Sequence, residues 1–366
     1  MIRVLHMLDG LDRGGIETML INLYRHIDRD QVQFDFLLTN PHHCEYEDEV
    51  IALGGRIYRA PRFSFLRPDK YIRAVDCFFA THPEYRIVHS HSTAKSAIPL
   101  SIAKKYGVPV RIAHAHINQG GQWWREMLQS IMKLRLNHVC THRFACSTDA
   151  AEWLFGAQNI SNTRIIINAI ELDKYQYNKL TRTKMRSQLG IPEQTFVCGH
   201  IGRFTEQKNH IFLLDIFAAI HRVKPDAKLI LIGKGPLEQD IKAKIAALHL
   251  NNDVIMTGEI DNVQDYLQVM DAFVFPSLFE GLGMVLIEAQ AAGLPCYTSL
   301  DKVPAAAAVT KDLVRFLPLE NNADLWAKTI LDTIPKQRIS HIREVRAAGY
   351  DVIETAKQIQ HFYLNV

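Results

Sequence analysis

Three groups of residues in this chain have the type and spacing to do chemistry. The first is a pair of carboxylates, Glu280 and Glu288, in the stretch 276–293, PSLFEGLGMVLIEAQAAG. The second is the cation pair Arg203 and Lys208, in GRFTEQK at 202–208. The third is two histidine pairs, His89-Ser90-His91 and His114-Ala115-His116. Eight residues at helical rise would set Glu288 about 12 Å from Glu280. That span suits a long ligand gripped at two points better than one proton shared by two acids. The turn Gly281-Leu282-Gly283-Met284 offers free amides at a helix start, which favour an anion. Within the apolar run 285–292, the carboxylate of Glu288 is costly unless it has a partner. The plain alternative is a surface turn and a poorly placed Glu. Arg203 and Lys208 flank a loop that opens a helix, an arrangement that holds a phosphate. An ordinary charged loop is the competing reading. On a strand, residues i and i+2 share a face. The histidine pairs therefore read as satisfied structural residues, with a zinc site built from both pairs as the sharper alternative. No Asp, Glu or Cys ligand is evident beside them, and no metal site is expected.

These groups need elements to hold them. Residues 2–8 read as a strand, 9–15 as a Gly-rich turn ending in Gly14-Gly15, and 16–27 as a helix. Strand, Gly turn and helix let backbone amides approach an anion. The spacing G-x-G-x-x-G is absent, as is the P-loop Lys-Ser/Thr. Further strands are expected at 34–38, 56–58, 87–90, 110–113, 143–147 and 163–168, with helices at 68–80, 94–106 and 123–136. The second half repeats the alternation. Its strands fall at 196–203, 228–233, 254–258, 271–275, 295–299 and 313–317. Its helices fall at 210–222, 261–269, 284–292 and 324–332, and 339–362 reads as one last helix. The polar stretch 172–185 reads as a crossing segment. Such alternation gives a parallel sheet wrapped by helices, an α/β fold whose ligands bind at the carboxyl ends of the strands.

A chain of 366 residues is long enough for two domains. The expected division is 1–170, 171–345, and a terminal helix at 346–366 that crosses back to the first domain. The net charge of +3 excludes a strong nucleic-acid footprint. No apolar run reaches the roughly 18 residues of a membrane span. The start, MIRVLHML, enters a strand at once and does not read as a signal peptide. The scattered cysteines read as thiols in a reducing compartment, and a cytoplasmic protein is expected. The stretch 122–143 is amphipathic and basic, with Trp123, Trp124, Arg125, Lys133 and Arg135. A helix packed on its own sheet is the favoured reading. A contact with the inner face of the plasma membrane is the alternative, and 62–67, RFSFLR, raises the same question. Oligomeric state is not legible.

Glu280 and Glu288 form an E-x7-E motif after a PS-x-x-E-G turn. In this the chain resembles the retaining glycosyltransferases of family 4, which have the GT-B fold of two Rossmann-like domains facing a central cleft. It is most similar to the bacterial enzymes that build capsular and exopolysaccharides. The resemblance spans nearly the whole chain. Gly202, Arg203 and Lys208 match the family's G-R-x4-K, and 233–236, GKGP, resembles its G-x-G-P turn. Asn168-Ala169-Ile170-Glu171 resembles the N-G-I-D that ends its first domain, with Ala169 in place of Gly. The resemblance implies that a nucleotide-sugar, UDP-linked, is bound between the domains and its sugar moved to a glycan or lipid-linked acceptor. Arg203 and Lys208 would grip the diphosphate, Glu288 the ribose hydroxyls and Glu280 the hydroxyls of the transferred sugar. Backbone near 254–258 would hold the base, and Gly14-Gly15 would face the diphosphate and the acceptor. His116 matches the family's catalytic histidine better than His114 does. His91 is a weaker candidate on the acceptor side. The two cations stand where a metal would otherwise act, and the lone D-x-D, Asp28-Arg29-Asp30, closes a helix. Metal-independent transfer follows as the expectation, with no cofactor. A front-face mechanism is implied, in which the leaving phosphate helps deprotonate the acceptor. The competing readings are a nucleotide-sugar epimerase or hydrolase of the same fold, an NAD(P)-linked oxidoreductase, and a non-catalytic binder of nucleotide-sugars.

Overall fold

A computed structural model describes residues 1–116, 123–335 and 337–366, with the backbone alone for 123–128. The chain forms two compact units, Met1–Ile170 with Asp351–Val366, and Glu171–Tyr350. The expected start of the returning segment, residue 346, falls within the helix Ile342–Ala347. The chain re-enters the first unit at Asp351, where Val352 N bonds Ile170 O at 3.0 Å.

The first unit is built on seven parallel strands: β1 (Ile2–Leu8), β2 (Val32–Leu38), β3 (Ile57–Arg59), β4 (Ile87–Ser90), β5 (Val110–Ala115), β6 (His142–Ala145) and β7 (Thr163–Ile165). Their order across the sheet is β3-β2-β1-β4-β5-β6-β7. Helices cover both faces, which is why β2 is buried along its whole length. Its one charge, Asp35, is matched by Arg3, Tyr85 and the amide of Arg56. The helices Gly15–His26 and Val352–Leu364 cover one face together.

The second unit has six parallel strands: β8 (Val197–Ile201), β9 (Lys228–Ile232), β10 (Val254–Gly258), β11 (Ala272–Phe275), β12 (Cys296–Ser299) and β13 (Val314–Leu317), in the order β10-β9-β8-β11-β12-β13. Each sheet grows outward in both directions from its first strand. The order reverses between β1 and β4 in one unit and between β8 and β11 in the other. In open α/β sheets that reversal opens a crevice at the carboxyl ends, where ligands bind.

Two expectations about elements need correction. The single helix expected over 339–362 is two, Ile342–Ala347 and Val352–Leu364. Gly349 at φ +89° turns the chain, and Asp351 caps the second helix by accepting from Ile353 N. The polar stretch 172–185 contains the helix Leu172–Tyr175 and most of Lys179–Gln188. The buried positions of the latter are Arg182, Met185 and Arg186, so an apolar stripe is missing. Both arginines pair with Asp271 just before β11, and Arg182 also bonds the carbonyls of residues 268–270. This network fixes the strand that carries the Glu280 turn.

Candidate active site

In the second unit, three loops converge at the carboxyl ends of β8, β9 and β11. The loop after β8 carries Gly202, Arg203 and Lys208. It is stitched to the loop after β9 by bonds from Gly202 N to Ile232 O (3.0 Å) and from Phe204 N to Lys234 O (2.9 Å). This approach requires glycine. A Cβ on Gly233, at φ +137°, would lie 2.2 Å from Gly202 O, and one on Gly235 would lie 2.5 Å from Phe204 O. His200 Nδ1 bonds Val274 O at 2.8 Å, tying β8 to β11 at the crevice.

The turn after β11 is held from both sides. Leu278 N bonds Gln207 O, Gln207 Nε2 bonds Phe279 O, and Glu280 N bonds Lys302 O. Gly283, at φ +78°, opens the helix Met284–Ala291. Gly281 has open space where a side chain would stand, and Leu282 and Met284 are half-buried. Among the described residues, the amides of Met284 and Val285 take no backbone acceptor, so they are free for an anion.

Lys208 and Glu280, given separate roles above, meet as an ion pair of 2.6 Å. Their side chains are 16 % and 7 % exposed, and Lys208 Nζ also sits 4.7 Å from the centre of the Phe275 ring. An ammonium has three donors, so Lys208 can keep Glu280 and still meet an oxyanion. Arg203 is exposed, with no side-chain partner among the described residues. Glu288 has a different environment. It is half-buried, and the Tyr175 hydroxyl donates to it from the helix Leu172–Tyr175. Burial pushes its pKa up to about 7, with Tyr175 working in the opposite direction. The partner that Glu288 required is therefore a tyrosine, which the sequence did not reveal. A cavity of about 360 Å³ opens beside Glu280, lined by Leu300, Asp301, Lys302 and Pro304. A hollow of about 390 Å³ in the first unit lies at the opposite, amino ends of β4 and β5, away from the crevices.

In the first unit, Gly14 caps and Gly15 begins the helix Gly15–His26. The anion at this helix start is the chain's own. A Cβ on Gly14 would meet Glu17 Oε2 at 2.2 Å, and the amides of Ile16 and Glu17 bond the Glu17 carboxylate. Burial, with Asp12 and Asp9 nearby, raises the Glu17 pKa.

The histidines stand on one face of β1, β4 and β5, and His6, not singled out from the sequence, joins them. His6 and His89 are register partners on neighbouring strands. His6 Nδ1 meets His91 Nε2 at 3.1 Å, and His91 Nδ1 meets His116 Nε2 at 2.9 Å. Tyr363 Oη meets His89 Nδ1 at 2.6 Å, and His89 Nε2 meets His114 Nδ1 at 3.1 Å. Burial pushes all five rings down in pKa, His6 and His116 to about 3. Ligand atoms of His6, His89 and His91 lie within 4.8 Å of one another, as do those of His91, His114 and His116. Either triad could hold a cation, but the central rings His89 and His91 already spend both nitrogens on neighbouring side chains.

The side chains of Trp123 and Trp124 lie outside the described residues. Farther along that helix, Leu136 is buried and Lys133 stacks on Trp153, while Ile131 and Leu134 are 64 % and 74 % exposed. Among the described residues, no helix is long and apolar enough to cross a membrane.

Two Rossmann-like units with reversal-point crevices, one of them bearing the cation and carboxylate loops, define a GT-B fold. Comparisons give the same class. Solved structures with this fold include HepE of Anabaena in complex with UDP, at a TM-score of 0.80 and 19 % identity over all of both chains. They also include WaaG, a glycosyltransferase involved in lipopolysaccharide biosynthesis, at a TM-score of 0.72 and 14 % identity over 99 % of this chain and 100 % of that one. The family model "Glycosyltransferase Family 4" matches residues 13–174, and "Glycosyl transferases group 1" matches 181–348. EpsF of Bacillus subtilis, a glycosyltransferase by name, is 34 % identical over 99 % of this chain and 96 % of its own. CapH of Staphylococcus aureus, named as a capsular polysaccharide biosynthesis glycosyltransferase, is 24 % identical over 100 % and 99 %. The chain belongs to the family 4 glycosyltransferases, and it is an enzyme of that class.

Proposed function

We propose that this enzyme moves a sugar from a UDP-sugar to a glycan or lipid-linked acceptor in bacterial surface-polysaccharide synthesis, with retention of configuration and without a metal. The observation that carries the reading is the crevice between β8 and β11. There the loop carrying Arg203 and Lys208 is bonded to the turn that leads to a helix start with free amides, and Lys208 is bonded to Glu280. Breaking the anomeric bond places negative charge on the diphosphate. Groups already oriented toward that charge lower the barrier, because they meet the transition state better than the ground state. Glu280, fixed by Lys208, accepts from hydroxyls of the transferred sugar. Glu288 at the far end accepts from the ribose. UDP is supported by HepE, solved with UDP and with UDP-glucose. A lipid-linked acceptor is supported by the Escherichia coli relative, named for galactosyl transfer to a GlcNAc-diphosphoundecaprenol, 24 % identical over 77 % of this chain. The inner face of the plasma membrane, where such an acceptor would be met from the cytoplasm, is the proposed place of action.

The test is UDP release from UDP-sugars with and without lipid-linked acceptors prepared from membranes. Release that requires an acceptor, with the new linkage of the same anomeric configuration as the donor, supports the reading. Equal release without acceptor makes the enzyme a hydrolase or epimerase. A trapped glycosyl-enzyme overturns the front-face mechanism.

A further inference from the structure

The first sheet has a reversal point of its own, between β1 and β4, and a narrow pocket opens there at the carboxyl ends of the strands. Its lining comes from several elements of the first unit alone. Asp9 follows β1, Thr39 follows β2, and Ser92 and Lys95 follow β4. Arg62 belongs to the loop after β3, and Tyr71 to the helix Pro68–Thr81.

The charges of this lining do not cancel. Arg62 and Lys95 are exposed, with no side-chain partner among the described residues. Asp9 is the one carboxylate in the lining, and the Thr39 hydroxyl already donates to it at 2.8 Å. Tyr71 is only 6 % exposed and stands edge-on to Phe63, with ring centres 5.7 Å apart. Its hydroxyl has no hydrogen-bond partner among the described residues. Burial, with Asp9 nearby, raises the Tyr71 pKa, so at neutral pH the hydroxyl keeps its proton and can donate. A buried O–H left unpaired costs about 1–3 kcal/mol. The pocket holds about 20 Å³, room for one oxygen-sized group. An oxygen seated there can accept from Tyr71, with the rest of its parent group at the mouth beside Arg62 and Lys95. A sugar hydroxyl would satisfy the tyrosine and leave both cations unmatched. A phosphoryl group supplies one oxygen for Tyr71 and others for the cations. Asp9, acceptor only, suits a hydroxyl next to that phosphate.

We propose that this pocket is a phosphate subsite of the first unit and that its ligand is the acceptor, a sugar carried on a phosphate or diphosphate. Arg62, Lys95 and the Tyr71 hydroxyl hold phosphoryl oxygens, and Asp9 accepts from a hydroxyl of the sugar. The identity of the ligand as acceptor rests on the transferase reading, and the phosphate site itself does not.

The experiment is a phosphorus NMR titration of the full chain with inorganic pyrophosphate and with glucose 1-phosphate. UDP is kept at saturation so that the donor site is filled. Binding of both anions means that phosphate alone is recognised, and binding of glucose 1-phosphate alone means that sugar and phosphate are read together. Arg62→Gln with Lys95→Gln should weaken binding by at least about 10-fold, and Tyr71→Phe by about 10-fold, the loss of one hydrogen bond to a charged group. Asp9→Asn should tighten pyrophosphate, because a like charge is removed. UDP affinity by calorimetry should be the same in all three variants. Neither anion bound, pyrophosphate bound without glucose 1-phosphate, or anion binding unchanged in the variants would overturn the proposal. In turnover with lipid-linked acceptors prepared from membranes, the Arg62/Lys95 variant should raise the acceptor KM by at least about 10-fold and leave the KM for the UDP-sugar unchanged. An unchanged acceptor KM removes the acceptor half. Absence of UDP binding by the wild type counts against the transferase reading, and the anion titrations, repeated without UDP, then test the pocket by themselves.

Discussion

Glu288 gives the clearest quantitative prediction. Its pKa is pushed up to about 7 by burial, against 4.5 for an ordinary glutamate. A carboxyl raised on folding binds its proton more tightly in the folded state. Its contribution to stability is present below the unfolded value and is lost as pH rises through the folded one. For this pair of values the loss between pH 5 and pH 8 is on the order of 2–3 kcal/mol, at about 1.4 kcal/mol per unit. The lower end applies because the side chain is half-buried and in part screened. Glu288→Gln keeps the shape and can still accept from the Tyr175 hydroxyl, but does not titrate. Urea denaturation of both proteins at pH 5 and pH 8, followed by the signal of the second unit, gives the double difference. The variant should gain about 2 kcal/mol on wild type across that window, within the range set by the shift. Parallel curves for the two proteins would refute the reasoning. They would mean that the Glu288 carboxylate is solvated or already paired with a cation.

Other outcomes follow from the same site. Gly233→Ala places a side chain 2.2 Å from Gly202 O at φ +137°. It should cost about 3 kcal/mol in urea midpoint measurements and weaken UDP binding, because the loop carrying Arg203 must move. Glu280→Gln frees Lys208 for the diphosphate. It should hold UDP at least as tightly as wild type while lowering turnover by about 100-fold, the range expected when a charge-assisted contact of about 3 kcal/mol is removed from the transition state. Tighter UDP with unchanged turnover would take Glu280 out of the reaction. Transfer should survive EDTA in a turnover assay. Activity lost in EDTA and restored by manganese would show that Arg203 and Lys208 do not suffice.

Features encoded by near neighbours were legible in the chain. Gly202, Arg203 and Lys208 lie in one loop, and Glu280 to Glu288 in one turn and helix, so spacing alone placed them. The strands were legible because a parallel sheet buried on both faces reads as apolar runs. Features made by register and packing were not. Glu288 advertised its need for a partner, but nothing near it in sequence pointed to Tyr175. His6 sits alone in β1, and only its register with His89 brings it into the array. The helix Lys179–Gln188 was hidden because its inward face is Arg182 and Arg186, buried against Asp271 and strand-end carbonyls. The break at Gly349 has a signal in the sequence, since glycine marks a helix end, but the helical stretches on both sides of it mask it. The Gly14-Gly15 turn had the right form for an external anion, while the structure sets Glu17 there.

The central claim is that the crevice between β8 and β11 binds a nucleoside diphosphate through Arg203 and Lys208. It is tested most directly by calorimetric titration with UDP, GDP, ADP and NAD, in the presence and absence of EDTA. The account predicts that UDP binds, that EDTA changes nothing, and that Arg203→Ala with Lys208→Ala weakens binding by at least about 100-fold, two charge-assisted contacts at about 1.5–3 kcal/mol each. Binding of NAD alone, binding abolished by EDTA, or UDP held equally well by the double variant would contradict it.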